Sequence, residues 1–70
     1  MQALSEIRTG AVCTIKWMFG TPEVLEFLHR HQLQEGSTIR VIQNRVENLI
    51  IGTDAYRIVI DSDAAQMIKV

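Results

Sequence analysis

The sequence predicts one small, mostly-β domain over residues 1–70: a partly open barrel of about five strands, with one short helix inserted after the first long strand. Three observations predict it. Apolar residues alternate with a period of two in several short segments separated by turn residues. The period changes once to helical spacing, just after Gly20. The chain has 70 residues, too few to leave a broad sheet with unprotected edges, so closing the sheet is the natural solution.

Residues 12–19 carry the clearest alternation. Cys13, Ile15, Trp17 and Phe19 fall on one face and Thr14 and Lys16 on the other, with Gly10 and Gly20 punctuating the ends. This spacing predicts a single long strand whose first face looks inward. Thr21 can cap the free N–H groups of a helix, Pro22 suits its first position, and Glu23 complements the dipole in its first turn. Val24, Leu25, Phe27 and Leu28 then form one apolar stripe, while Glu26 and Arg30, four residues apart, make a weak pair on the solvent side. The helix should fade near Leu33, and Gly36 ends the segment.

The remaining elements are strands. Residues 38–43 form the second, with Ile39 and Val41 on one face, and residues 44–48 read as a hairpin connection. Residues 49–51 form the third, and Gly52, Thr53 and Asp54 supply turn chemistry. Residues 56–60 form the fourth, with Tyr56, Ile58 and Ile60 on one face. Asp61 to Ala65 reads as a capped single turn of helix, and residues 67–70 as a short closing strand. Asp61 and Asp63 lack the further acidic positions and the Gly of a calcium loop, so capping accounts for them better.

Composition narrows the function. Seven Lys and Arg against eight Asp and Glu leave a net charge of −1, unlike a strongly basic nucleic-acid binder. Arg8, Arg30, Arg40, Arg45 and Arg57 are scattered and lack interleaved aromatics, so no direct nucleic-acid contact is expected. Cys13 is the only cysteine. No internal disulfide can form, and a secreted domain of this size usually needs one, so a cytoplasmic location is expected. Its apolar runs are too short for membrane insertion, and the first residues lack the pattern of a signal peptide. No nucleophile elbow, phosphate loop or HExxH motif occurs, and so small a domain has little room for a deep site. The chain is therefore read as a binder and not an enzyme.

The order of motifs resembles the FeoA family. Leu4-Ser5-Glu6-Ile7-Arg8-Thr9-Gly10 is similar to an opening LSELKPG. Leu33-Gln34-Glu35-Gly36-Ser37-Thr38-Ile39-Arg40-Val41-Ile42 is similar to LxPGxxIxVL. The last ten residues, Asp61-Ser62-Asp63-Ala64-Ala65-Gln66-Met67-Ile68-Lys69-Val70, are similar to xxxAxxIxV. The resemblance covers essentially the whole chain and implies an SH3-like barrel. It implies a non-catalytic accessory module in bacterial metal homeostasis, either a FeoA-type protein or the C-terminal domain of a DtxR-type metal-dependent repressor. The first would support ferrous-iron uptake by contacting the cytosolic part of the FeoB transporter, and the second would contact the rest of the repressor. A generic peptide-binding SH3-like module is the remaining alternative, and an oligomer is left open. The helix departs from the family pattern RLxxLGL: Phe27 stands at the Arg, His31 at the second Leu and Gln32 at the Gly. Val24-Leu25-Glu26-Phe27-Leu28 is closer to the LLxYL of the repressor domains. A start at Met1 and an end just after the barrel suit a stand-alone protein.

Two sets of residues are candidates for a site. Glu26 and His29, at i, i+3 spacing, can form a two-ligand clip for Fe(II) or another divalent transition metal, held weakly, since a closed site needs more ligands. No cofactor is required. His31 points about 200° away from His29 and returns to the apolar stripe, where a half-buried structural role suits it. Trp17 and Phe19 are the second set. Aromatics this scarce are expected in the core, and the alternative is partial exposure at a peptide-binding groove. Cys13 on the inward face is expected to act as a small hydrophobe.

Overall fold

A computed structural model describes residues 1–70. After a short 3-10 turn, Leu4–Glu6, the elements run β1 (Val12–Thr14), β2 (Trp17–Met18), α1 (Pro22–Arg30), β3 (Thr38–Asn44), β4 (Asn48–Gly52), β5 (Arg57–Asp61), α2 (Ser62–Gln66) and β6 (Ile68–Lys69). Four strands form one antiparallel sheet in the order β1-β3-β4-β5, and β2 pairs with β6 in a separate ribbon. The mostly-β, SH3-like class expected from the sequence stands, with six strands in two sheets.

The predicted long strand over residues 12–19 is two strands. Cys13 pairs with Ile39 of β3, and Ile15 N–H still donates to the Ser37 carbonyl at 2.9 Å. Lys16 N–H then donates to the Lys69 carbonyl at 2.8 Å. The chain changes partner between Ile15 and Lys16, and in doing so crosses from one sheet to the other. The side-chain parity established by Cys13 and Ile15 does not carry across that corner. Ile15 is fully buried, whereas Met18, not Trp17 or Phe19, turns toward the core.

The core is aliphatic. Ile39 and Val41 of β3, Leu49 and Ile51 of β4, and Ile58 and Ile60 of β5 meet Leu4, Leu28, Leu33 and Ile68. β-branched residues suit the half-buried pleat, which explains their use on these strands. In β3 the register shifts between Val41 and Gln43. The extra residue, Ile42, lays its side chain over Gly52, where a Cβ would stand 2.8 Å from Ile42 Cδ1. Beyond the bulge, Asn44 ties down the N-terminal segment: its Nδ2 donates to the carbonyls of Ser5 at 3.0 Å and Ile7 at 2.7 Å.

Helix α1 begins as predicted, with Thr21 Oγ1 accepting from Val24 N–H at 3.3 Å and Pro22 in the first turn. Its C-terminus lies at Arg30 and not near Leu33. Gln32 N–H donates to the His29 carbonyl and Leu33 N–H to the Leu28 carbonyl, the paired bonds of a Schellman cap, sealed by the buried side chains of Leu28 and Leu33. The cap holds Gln32 at φ 62°, the only non-glycine residue with positive φ. Of the apolar stripe, Leu28 is buried, Val24 and Leu25 are half-buried, and Phe27 is partly exposed. At the other end, Asp61 Oδ1 accepts from Ala64 N–H at 2.7 Å and caps α2, as the sequence predicts.

Candidate functional site

The β2–β6 ribbon is short, and its two faces differ. Met18 and Ile68 form a cross-strand pair turned inward, and Trp17 and Lys69 form the next pair, turned outward. Phe19 follows on the same outer face. Its N–H donates to the Met67 carbonyl at 2.9 Å, which keeps it in register. Gly20 then turns the chain into α1 at φ 147°, so close to Met67 that a Cβ would lie 2.8 Å from its Sδ.

The result is an exposed aromatic face. Trp17 is 52% and Phe19 43% exposed. Their rings meet edge to face with centroids 5.9 Å apart and planes at 83°, and Lys69 Nζ lies 5.6 Å from the Phe19 centroid. The chain has four aromatic residues, and two of them stand here. This corrects the expectation that both belong to the core. The core closes with aliphatic side chains alone, because the sheet-to-sheet corner leaves Trp17 and Phe19 outside. The ribbon's own alternation held the missing signal: with Ile68 inward, Lys69 faces outward, and so does the residue opposite it.

Such a face suits contact with another macromolecule. Rigid aromatic side chains bury large area at small entropic cost, and a neighbouring cation adds electrostatic preference.

The two proposed metal ligands lie on α1. Glu26 Oε1 accepts from Arg30 Nη2 at 2.8 Å, the i, i+4 pair expected from the sequence, with both side chains largely exposed. His29 is exposed and lines a shallow depression of about 400 Å³ with Met18, Leu25, Gln34 and Glu35. His29 thus shares this depression with Glu35, whereas Glu26 is paired with Arg30. No three His, Cys, Asp or Glu side chains converge on one point. His31 is half-buried, as expected. Its Nδ1 lies 2.9 Å from the Phe27 carbonyl, which only accepts, so Nδ1 carries the proton. The imidazole sits between Phe27 and Tyr56 at centroid distances of 4.4 and 5.9 Å, and the Tyr56 hydroxyl donates to the His31 carbonyl. These bonds make His31 a structural link between α1 and the start of β5. Cys13 is partly buried against the core, and that burial raises its thiol pKa above the ordinary value.

The fold and this face together define a small SH3-like barrel that presents surfaces rather than a deep pocket. The chain belongs to the FeoA-domain family, whose model matches residues 2–70. Among solved structures, it is similar to an iron uptake regulatory protein (FeoA), with 24% identity over 94% of this chain and 89% of that one and a TM-score of 0.84. The FeoA protein from Chlorobium tepidum shares 17% identity, with 97% of this chain and 67% of that one covered and a TM-score of 0.89. A manganese-dependent transcriptional repressor shares 23% identity over 96% of this chain but only 39% of its own length, with a TM-score of 0.86. A sequence search of curated proteins returned no match. Family membership makes the chain a domain of metal homeostasis, the solved structures show its fold, and no helix is long and apolar enough to cross a membrane.

Proposed function

We propose that this chain is a non-catalytic, FeoA-type accessory module that supports ferrous-iron uptake in the bacterial cytoplasm by binding the cytosolic part of the FeoB transporter, and that it does so through the Trp17–Phe19–Lys69 face. The observation that carries this reading is the placement of the Trp17–Phe19 pair outside an otherwise aliphatic barrel. Family membership supports the iron-uptake setting. The test is a titration of the isotope-labelled chain with the transporter's cytosolic domain, followed by amide shifts. Shifts centred on Trp17, Phe19 and Lys69 are expected, and a silent titration at high partner concentration would overturn the reading.

A second reading, the C-terminal domain of a metal-responsive repressor, draws support from the Val24–Leu28 segment and from the likeness to manganese-dependent repressors. Under that reading, the same face would dock on the remainder of the repressor.

A further inference from the structure

Strand β5 closes one side of the four-stranded sheet and has only β4 beside it. Its backbone parity is fixed at both ends. Thr53 N–H donates to the Tyr56 carbonyl at 2.9 Å and Ser62 N–H to the Glu47 carbonyl at 3.0 Å, and the register runs unbroken from Gly52↔Arg57 to Asn48↔Asp61. Hydrogen-bonded residues alternate along an antiparallel ladder. Ile58 and Ile60 therefore bond to β4, and the N–H and C=O groups of Arg57, Val59 and Asp61 point away from it. The side chains of these three residues are also exposed. Beside this free edge runs a groove of about 280 Å³ between β5 and α1, lined by Val24, Phe27, Val59 and Ala64, with Glu23 and Asp61 at its rim.

We propose that this edge pairs antiparallel with the same edge of a second copy of the chain, about a two-fold axis through Val59. That centre makes the strand complementary to itself. Arg57 falls opposite the partner's Asp61, Asp61 falls opposite the partner's Arg57, and Val59 faces its counterpart. Val59 and its counterpart can exchange two hydrogen bonds, while each Arg57–Asp61 pair is joined by the Asp61 N–H donating to the partner's Arg57 carbonyl, since the Asp61 carbonyl serves as the N-cap acceptor of α2. The charges are free to engage. The one ion pair within the chain is Glu26–Arg30, and Asp61 uses only Oδ1 to cap α2. Val59 is 58% exposed and Phe27 38%, and an added strand covers both. Moving the axis off Val59 loses the opposed charges. Bulges and proline are common guards against such pairing, and β5 has neither: its register is unbroken and its outward residues Arg57, Val59 and Asp61 are exposed.

The test is sedimentation velocity of the whole chain from about 10 μM to about 1 mM, the range in which weak interfaces are read. The expected result is a concentration-dependent rise from 8.0 kDa toward twice that mass. Val59→Pro removes an N–H that bonds nothing in the chain's own ladder and should weaken association by tenfold or more. Arg57→Glu, which sets acid against acid at both ends, should do the same. Asp61→Asn keeps the helix cap and should weaken association by less. Should Val59→Pro disturb the fold, Arg57→Glu decides, since Arg57 is exposed and makes no ion pair. A chain that stays at 8.0 kDa throughout, or a dimer unchanged by Arg57→Glu, would overturn the proposal.

Discussion

The four-stranded sheet and the β2–β6 ribbon are built from the same alternating pattern, yet they use it differently. In the sheet, every inward position on β3, β4 and β5 is a fully or nearly fully buried Ile, Leu or Val. In the ribbon, the bulkiest residues of the alternation look outward and Met18 and Ile68 supply the inner face. The sheet holds the fold together. The ribbon, two residues per strand, gives the core Ile68 and Met18 and leaves its outer face exposed.

Substitutions should separate the two regions. The largest effect belongs to the sheet. Ile51→Ala removes a fully buried side chain from the central strand β4 and should cost about 2–5 kcal/mol. A domain of this size has only about 4–10 kcal/mol in total, so chemical denaturation should show a large share of its stability lost. Asn44→Ala comes next. It leaves the Ser5 and Ile7 carbonyls without their donor and should cost about 1–3 kcal/mol, with faster amide exchange confined to residues 1–10. Gln32→Gly acts in the opposite direction. It relieves a left-handed cap at φ 62° and should stabilise by about 1 kcal/mol in thermal melts. Changes on the ribbon face should be smallest in stability. Phe19→Ala should stay within about 1 kcal/mol of the parent, because the ring is already exposed.

Cys13 offers a test by pH. Its thiol is held protonated by burial above the ordinary thiol range. The unfolded thiol therefore ionises first as pH rises. Stability is unaffected below the ordinary thiol pKa and falls as pH climbs from there through the folded value. Alkylation at pH 8 should accordingly be slower in the folded chain than after denaturation.

Much of the sheet was legible in the sequence because one physical rule governs it. Ile39, Val41, Ile58 and Ile60 lie where period-two burial puts them, and Thr21 and Asp61 cap the helices that follow them. The corner at Ile15–Lys16 was not legible. No Gly or Pro marks it, and it arises from a change of partner strand, a long-range event that local alternation cannot register. Trp17 and Phe19 were singled out by their chemistry but placed on the wrong face for that reason, and Lys69 was missed because its role depends on pairing across the ribbon. The end of α1 was missed by a few residues because Gln32 occupies the cap position where glycine normally announces a stop.

The central claim is that recognition lies on the ribbon and stability in the sheet. The most direct measurement compares the parent chain with a Trp17→Ala, Phe19→Ala double variant in titration with the transporter's cytosolic domain, alongside a thermal melt of each. We expect the double variant to fold with a near-parental midpoint and to lose at least tenfold in affinity, about 1.4 kcal/mol. Unchanged affinity in a folded double variant, or a melt showing that these exposed rings hold the barrel together, would contradict the account.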